Sequence, residues 1–175
     1  MKIISGDLGG RNFISTAKTT HPMSEKMRGS IFNSLGDVSG LRFLDAFSGS
    51  GALAFEAISR GASEAVAVES NKIAQKDIES NIKSLGLKEK VKLIKAPLSS
   101  WLHTSNDNDF DIILIDPPYE KPQIATVLLL EKLLSASGVL IVSLPPNYKL
   151  PSFGQLKTVS KKDYGDSSLI FFKSP

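Results

Sequence analysis

The run Leu41-Arg42-Phe43-Leu44-Asp45-Ala46-Phe47-Ser48-Gly49-Ser50-Gly51-Ala52-Leu53-Ala54-Phe55-Glu56-Ala57-Ile58-Ser59-Arg60-Gly61 decides the fold. It begins as a short apolar strand, passes through a glycine-rich turn and continues as an apolar helix. The alternation then repeats as EAVAVE, NKIAQKDIESNIKSLG and VKLIKA. This βαβαβ rhythm predicts a doubly wound α/β sheet with parallel strands. In the second helix Ala74, Ile78, Ile82 and Leu85 share one face, with Ser70 placed to cap its start and Gly86 its end.

Further on, DIILID is continuously apolar, as a strand buried on both faces must be. A helix is expected from Pro122 through Leu134, followed by GVLIVSL as a fifth strand. Beyond Pro145 and Pro146, the runs near Gln155 to Ser160 and Ser167 to Phe172 flank the turn-forming Asp163 to Gly165, which predicts an antiparallel hairpin at one sheet edge. Trp101 and Leu102 read as core, and the polar Ser105 to Asn108 as a connecting loop. Upstream, residues 1–40 read as a small N-terminal extension to the domain of residues 41–175. Its glycines and hydroxyl residues suggest a strand-turn-strand or an arm outside the core. A helix then starts at Pro22 and Ser24, carries Met27, Ile31 and Leu35 on one face, and stops at Gly36.

The chain has 175 residues and no cysteine, which excludes disulfides, thiol nucleophiles and cysteine-held metals. With two histidines a metal site is not expected. The net charge of +3 is small but uneven. Residues 1–30 carry 5 basic and 2 acidic groups, residues 145–175 carry 5 and 2, and residues 31–144 carry 11 and 14. No apolar run approaches the roughly 18 residues that would span a bilayer, and the first residues lack an apolar leader. A cytoplasmic protein is expected.

Glycines in the turn from Asp45 to Ala52 allow a tight bend and close approach of a ligand to the backbone. In an open α/β sheet that turn borders the ligand site. Glu69 ends the second strand, where a carboxylate can accept both hydroxyls of a ribose. The pattern fits an adenosine cofactor, and both S-adenosylmethionine (SAM) and a dinucleotide satisfy it. Asp45 favours SAM, because an acid there suits an ammonium group and repels a pyrophosphate.

Asp116-Pro117-Pro118-Tyr119 closes the fourth strand, across the mouth from the glycine turn. Two prolines stiffen the turn and leave its carbonyls free to face a cleft. Asp116 and the Pro117 carbonyl can each accept one N–H of an exocyclic amine, aiming the nitrogen lone pair at an electrophilic methyl group. Tyr119 supplies a ring on which a base can stack.

These residues together resemble the SAM-dependent amino methyltransferases that act on nucleobases. Ile3-Ile4-Ser5-Gly6 with Gly10-Arg11, the helix Ser24 to Arg28 leading to Ile31-Phe32-Asn33, and Tyr164-Gly165 narrow the resemblance to the bacterial RsmD-type enzymes. That resemblance implies a Rossmann-like SAM methyltransferase sheet, mostly parallel with the antiparallel C-terminal hairpin. It also implies methyl transfer to the N2 amine of a guanine in 16S rRNA, within the small ribosomal subunit or its precursor. Catalytic roles fall to Asp116, Pro117 and Tyr119. Cofactor contacts fall to Asp45, Phe47, Ser48, Gly49, Ser50, Gly51, Glu69, Ser70 and Ser99. Arg11, His21, Lys26 and Arg28 would face RNA phosphates. A monomer without metal is expected. The chain departs from the family pattern at His21, in place of an arginine, at Ala96-Pro97-Leu98-Ser99, where an acid is usual, and at Ser143, in place of a glutamate. Adenine-N6 methylation, or a catalytically silent RNA-binding factor on the same scaffold, are the alternatives.

Overall fold

A computed structural model describes residues 1–17 and 23–175. His21 and Pro22 lie outside the described residues. In chain order the elements are α1 (Glu25–Leu35), β1 (Arg42–Asp45), α2 (Ala52–Ser59), β2 (Glu64–Glu69), α3 (Lys72–Leu85), β3 (Val91–Lys95), α4 (Leu98–Thr104), β4 (Phe110–Ile115), α5 (Ile124–Leu129), β5 (Leu134–Leu144), β6 (Lys157–Tyr164) and β7 (Ser167–Lys173). The strands form one sheet in the order β3-β2-β1-β4-β5-β7-β6. β1 to β5 run parallel, and β7 is antiparallel to both β5 and β6. The doubly wound sheet and its C-terminal hairpin are as expected. No helix of the described residues is long and apolar enough to cross a membrane.

Strand side chains alternate between two cores. Phe43, Ala65, Ala67, Ile112, Leu114 and Ile141 pack on one face with α2 and α3. Leu44, Val66, Val68, Ile113, Ile115 and Val142 pack on the other with α4 and α5. Both faces are dry, which is why the strands read as unbroken apolar runs rather than as alternating ones.

Several expectations need correction. Asn71, not Ser70, caps α3, its side chain accepting from the Ile73 and Ala74 amides at 2.9 and 3.1 Å. The one-residue offset leaves Ser70 at the rim of a cavity. The helix after Pro122 is short. α5 gives way to a 3₁₀ turn (Leu130–Leu133), and Leu134 already begins β5. α4 carries the buried Trp101 in a short helix where no helix was expected.

The largest correction concerns the first residues. Ile3 and Phe13 are buried in the same core as α2 and α3, so the segment is no arm outside it. Polar side chains on those helices hold its backbone. The buried Glu56 carboxylate accepts the Ile4 and Ser5 amides at 2.7 and 3.1 Å and pairs with Arg60 at 2.7 Å. Asn81 exchanges two hydrogen bonds with Ile14, and Asp77 accepts the Thr16 amide and hydroxyl. Gly6, at φ +82°, lies so close to α2 that a Cβ would sit 1.8 Å from the Ser59 carbonyl oxygen. Glycine is required there on both counts.

Candidate active site

The C-terminal ends of β1, β2 and β4 bring Asp45, Glu69 and Asp116 to one end of the sheet. Between them the glycine turn is fixed by its own backbone: the Ala46 amide donates to Leu114, Ser48 to Val68, and Gly51 to Ser48. The Ser48 hydroxyl donates back to the Asp45 carbonyl at 2.9 Å. Gly49 and Gly51 both adopt positive φ. At Gly51 a Cβ would strike Phe55 and Ile78, whereas at Gly49 it would meet nothing within 4 Å. Gly51 therefore permits close helix packing, and Gly49 leaves open space beside the turn.

That space belongs to a cavity of about 300 Å³ lined by Phe47, Ser48, Gly49, Ser50, Glu69, Ser70, Asp116, Pro117 and Tyr119, with Met1, Met23 and Arg28 on the side of the N-terminal segment. The structure thus brings together most of the residues expected to meet a cofactor. Three of the expected residues are not among those lining it: Asp45, buried at the end of β1, Gly51, packed against Phe55 and Ile78, and Ser99, on the first turn of α4. Glu69 accepts the Gly49 amide at 2.7 Å and the Asn71 amide at 2.6 Å. Each oxygen keeps a second lone pair for a further donor.

A second cavity, of about 510 Å³, adjoins the first. It lies between the start of α1 and the β6–β7 turn, and Asp116 and Tyr119 line both cavities. Its other polar walls include Lys26, Ser143, Asp163, Asp166 and Ser167. The Tyr119 hydroxyl bonds to the Ser143 hydroxyl at 2.9 Å and donates to Ser167 at 2.8 Å, which fixes the ring between the two spaces. Burial raises the tyrosine's pKa against those bonds. Ser30 and Tyr164 hydrogen-bond across the outer side, tying α1 to β6.

Asp45 is fully buried, and among the described residues neither carboxylate oxygen has a hydrogen-bond partner of normal geometry, although the Ala54 amide and the Ser48 hydroxyl lie near enough to oppose the rise in its pKa. Desolvation, reinforced by the negative charge of Asp116, pushes its pKa up to about 8. Burial likewise raises Asp116 to about 6, opposed by the Ser143 hydroxyl. The free protein near neutral pH therefore holds Asp45 largely as the neutral acid and Asp116 largely as the carboxylate.

Of the residues expected to face RNA, Lys26 is exposed at the second cavity and Arg11 is exposed near the end of α3, its Nη2 3.4 Å from the Ser84 carbonyl. Arg28 is a correction. It is 1% exposed and turned inward to the first cavity, because it shares the buried stripe of α1 with Ile31 and Phe32. That spacing was readable in the sequence.

A doubly wound sheet whose glycine turn and Asp-Pro-Pro-Tyr turn face each other across one mouth is the architecture of a Rossmann-like methyltransferase. The family model described as "Conserved hypothetical protein 95" matches residues 1–173, and the chain belongs to that family. A Bacillus subtilis relative named "Putative rRNA methyltransferase YlbH" is 32% identical over 181 residues, covering 99% of this chain and 98% of its own. "Ribosomal RNA small subunit methyltransferase D" of Buchnera aphidicola subsp. Acyrthosiphon pisum is 36% identical over 132 residues, 74% of this chain and 69% of its own. The resemblance to RsmD-type enzymes is thereby borne out. The fold is shared with a solved structure described as "Putative methyltransferase yhhF from Escherichia coli", with a TM-score of 0.87 at 23% identity over 99% of this chain and 97% of that one.

Proposed function

We propose that the protein is a SAM-dependent rRNA methyltransferase that modifies the N2 amine of a guanine in 16S rRNA. The observation that carries this reading is the pair of cavities meeting at Asp116 and Tyr119, one built on the glycine turn and one walled by acids and a lysine. The first cavity fits SAM. Asp45 is a buried acid at the end of β1, next to the glycine turn, whose raised pKa an ammonium group would bring down, Glu69 has lone pairs for a ribose diol, and the space beside Gly49 admits a ligand against the backbone. SAM supplies an electrophilic methyl group on a sulfonium.

The protein's part is alignment and handling of one proton. Asp116 and the Pro117 carbonyl accept the two N–H groups of the amine, so the nitrogen lone pair points toward the first cavity. Tyr119, held by Ser143 and Ser167, presents its ring to the base. As the nitrogen–carbon bond forms and the carbon–sulfur bond breaks, the nitrogen loses a proton. Asp116, with a raised pKa of about 6, is charged at neutral pH and basic enough to receive it.

Guanine is favoured over adenine by the second cavity. Beside its amine, guanine carries a ring N–H and then a carbonyl oxygen, whereas adenine carries a bare ring nitrogen. Asp163 and Asp166 offer acceptors for the former, and Lys26 offers a donor for the carbonyl. A bare nitrogen facing those carboxylates would be repelled. Lys26 and Arg11 also suit RNA phosphates, and such contacts set affinity rather than base choice.

The test is transfer of labelled methyl from SAM to small ribosomal subunits from a strain lacking the modification, followed by nucleoside analysis of the RNA. N2-methylguanosine is the expected product. Label in N6-methyladenosine would replace the guanine reading, and no transfer would replace it with a silent RNA-binding factor.

A further inference from the structure

The positive charge of the chain is concentrated away from the site. Residues 72–95 carry 7 lysines against Asp77, Glu79 and Glu89, while the rest of the chain carries 14 basic and 15 acidic groups. The fold gathers this surplus on the solvent side of α3 and along β3 beside it. Lys72, Lys76, Glu79 and Lys83 form one exposed stripe of α3, opposite the buried Ala74, Ile78 and Asn81. The acids offset little of the charge. Asp77 is turned inward to Thr16, and Glu79 pairs with Lys95 at 2.9 Å. Lys92 pairs with Asp107 at 3.2 Å. Lys72, Lys76, Lys83, Lys88 and Lys90 have no ion pair among the described residues. Between α3 and β3 runs a groove of about 460 Å³, lined by the apolar Ile82 and Leu93 and by Glu79, Lys83, Lys88 and Lys95. β3 is an edge strand, and lysines on an edge deter pairing with another chain. That accounts for Lys92 and Lys95 but not for the five lysines outside the strand.

We propose that this face of α3, with the groove beside it, is a phosphate track that holds the rRNA flanking the target base. This rests on the rRNA reading above. A lysine meets phosphate as a point charge and carries no sequence information, so a row of exposed lysines without ion pairs suits a backbone of regularly spaced charges. The stripe from Lys72 to Lys83 is about 16 Å long. Its position joins it to the site. β3 stands three strands from β4, which is about 14 Å across the sheet from the strand that leads to Asp116. Lys95 lies opposite Glu69 in register, at the end of the sheet where Glu69 lines the first cavity. α1, which presents Lys26, packs in the same core as α3, so both helices stand on one face of the sheet. Arg11 prolongs the stripe beyond Lys83, its guanidinium beside the Ser84 carbonyl. RNA held by Lys26 at the second cavity would thus continue past the cofactor and over α3.

The experiment measures affinity for small ribosomal subunits from about 50 to 200 mM salt. The double variant Lys83→Gln with Lys88→Gln is compared with Lys157→Gln with Lys173→Gln, which removes the same charge at the opposite edge of the sheet, where those two residues face each other in register. The first pair is expected to weaken binding about 10-fold and to flatten the slope of log K against log salt by roughly 1.5, the counterion release of two phosphate contacts. The second pair should leave affinity and slope as in wild type. Lys83→Arg with Lys88→Arg should restore binding, because charge is what the track uses. Thermal melts and S-adenosylhomocysteine binding establish that each variant folds. An unchanged affinity and slope in the first pair overturns the proposal, and so does an equal loss in both pairs, which would mean that only net charge matters. A loss with an unchanged slope would assign the face to a ribosomal protein instead of RNA and also overturns it. If wild type does not bind subunits, the rRNA reading itself fails, and that result is distinct from the others.

Discussion

Cofactor binding should expel a proton from Asp45. With a pKa pushed up to about 8 in the free protein, this carboxyl is about nine-tenths protonated at pH 7. An ammonium placed against a carboxyl lowers its pKa by about 1 to 3 units, because the opposite charge favours the ionised form. The complex would then titrate between about 5 and 7, so about four-tenths to nine-tenths of a proton leaves per S-adenosylhomocysteine bound at pH 7. Linkage sets the sign for affinity: the protonated free form must lose its proton, so binding tightens as pH rises. Between pH 6 and pH 8 the gain is about 5- to 50-fold. Calorimetry at pH 7 in phosphate, imidazole and Tris reads the proton directly, because the observed enthalpy shifts with the ionisation enthalpy of the buffer. Asp116, at about 6, contributes only about a tenth of a proton at this pH. Asp45→Asn is the control and should bind without release. An enthalpy independent of buffer, together with a flat dissociation constant from pH 6 to 8, would refute the pairing of a neutral buried acid with an arriving ammonium.

The same acid makes the ligand-free fold less stable as pH rises. Its folded pKa lies above the unfolded value of about 3.9, so the folded state holds the extra proton between about pH 4 and pH 8, and stability falls across that window. Asp45→Asn should raise the Tm at pH 8.5 while weakening S-adenosylhomocysteine, and a lower Tm would contradict the burial argument. Gly6→Ala should cost about 2 to 4 kcal/mol in urea unfolding, since a Cβ would sit 1.8 Å from the Ser59 oxygen at φ +82°. A loss below about 0.5 kcal/mol would mean that the segment relaxes freely. Asp116→Asn should reduce methyl transfer by about a thousandfold with S-adenosylhomocysteine still bound, and wild-type kcat should fall as pH drops through about 6. A pH-independent kcat down to pH 5 would remove Asp116 as proton acceptor. Asp166→Asn should lower transfer to guanine about tenfold with cofactor affinity intact, and unchanged transfer would clear the β6–β7 turn of base recognition.

The sheet and both ligand-facing turns were legible because each is written locally. Ile112 to Ile115 alternate between two cores, so the pattern is a plain apolar run flanked by turn residues. Gly49, Gly51 and the two prolines carry backbone requirements that few other residues meet. What was not legible depended on long-range partners. Ser70 and Asn71 are equally good caps by type, and only the path of the chain selects Asn71. The burial of residues 3 and 13 depends on Glu56, Asp77 and Asn81, whose partners lie 51 or more residues away. A lone Glu56 within an otherwise apolar helix was the available sign. Arg28 was misplaced because charge was weighed before helical position. Its spacing of three and four from Ile31 and Phe32 puts it on the inward stripe.

The stitching of the first residues onto α2 and α3 also orders events during synthesis. Ile14 bonds to Asn81 and Thr16 to Asp77, so the segment ahead of α1 has no resting place until the chain has passed residue 81. The wall holding Met1 and Arg28 closes the first cavity, and Lys2 is the residue that engages the Arg28 guanidinium. Residues that precede α1 therefore complete the pocket late. A ribosome-bound fragment that has not yet extruded α3 would be unable to form the full pocket, and adenosyl-ligand binding would serve as a sensor of how far folding on the ribosome has advanced.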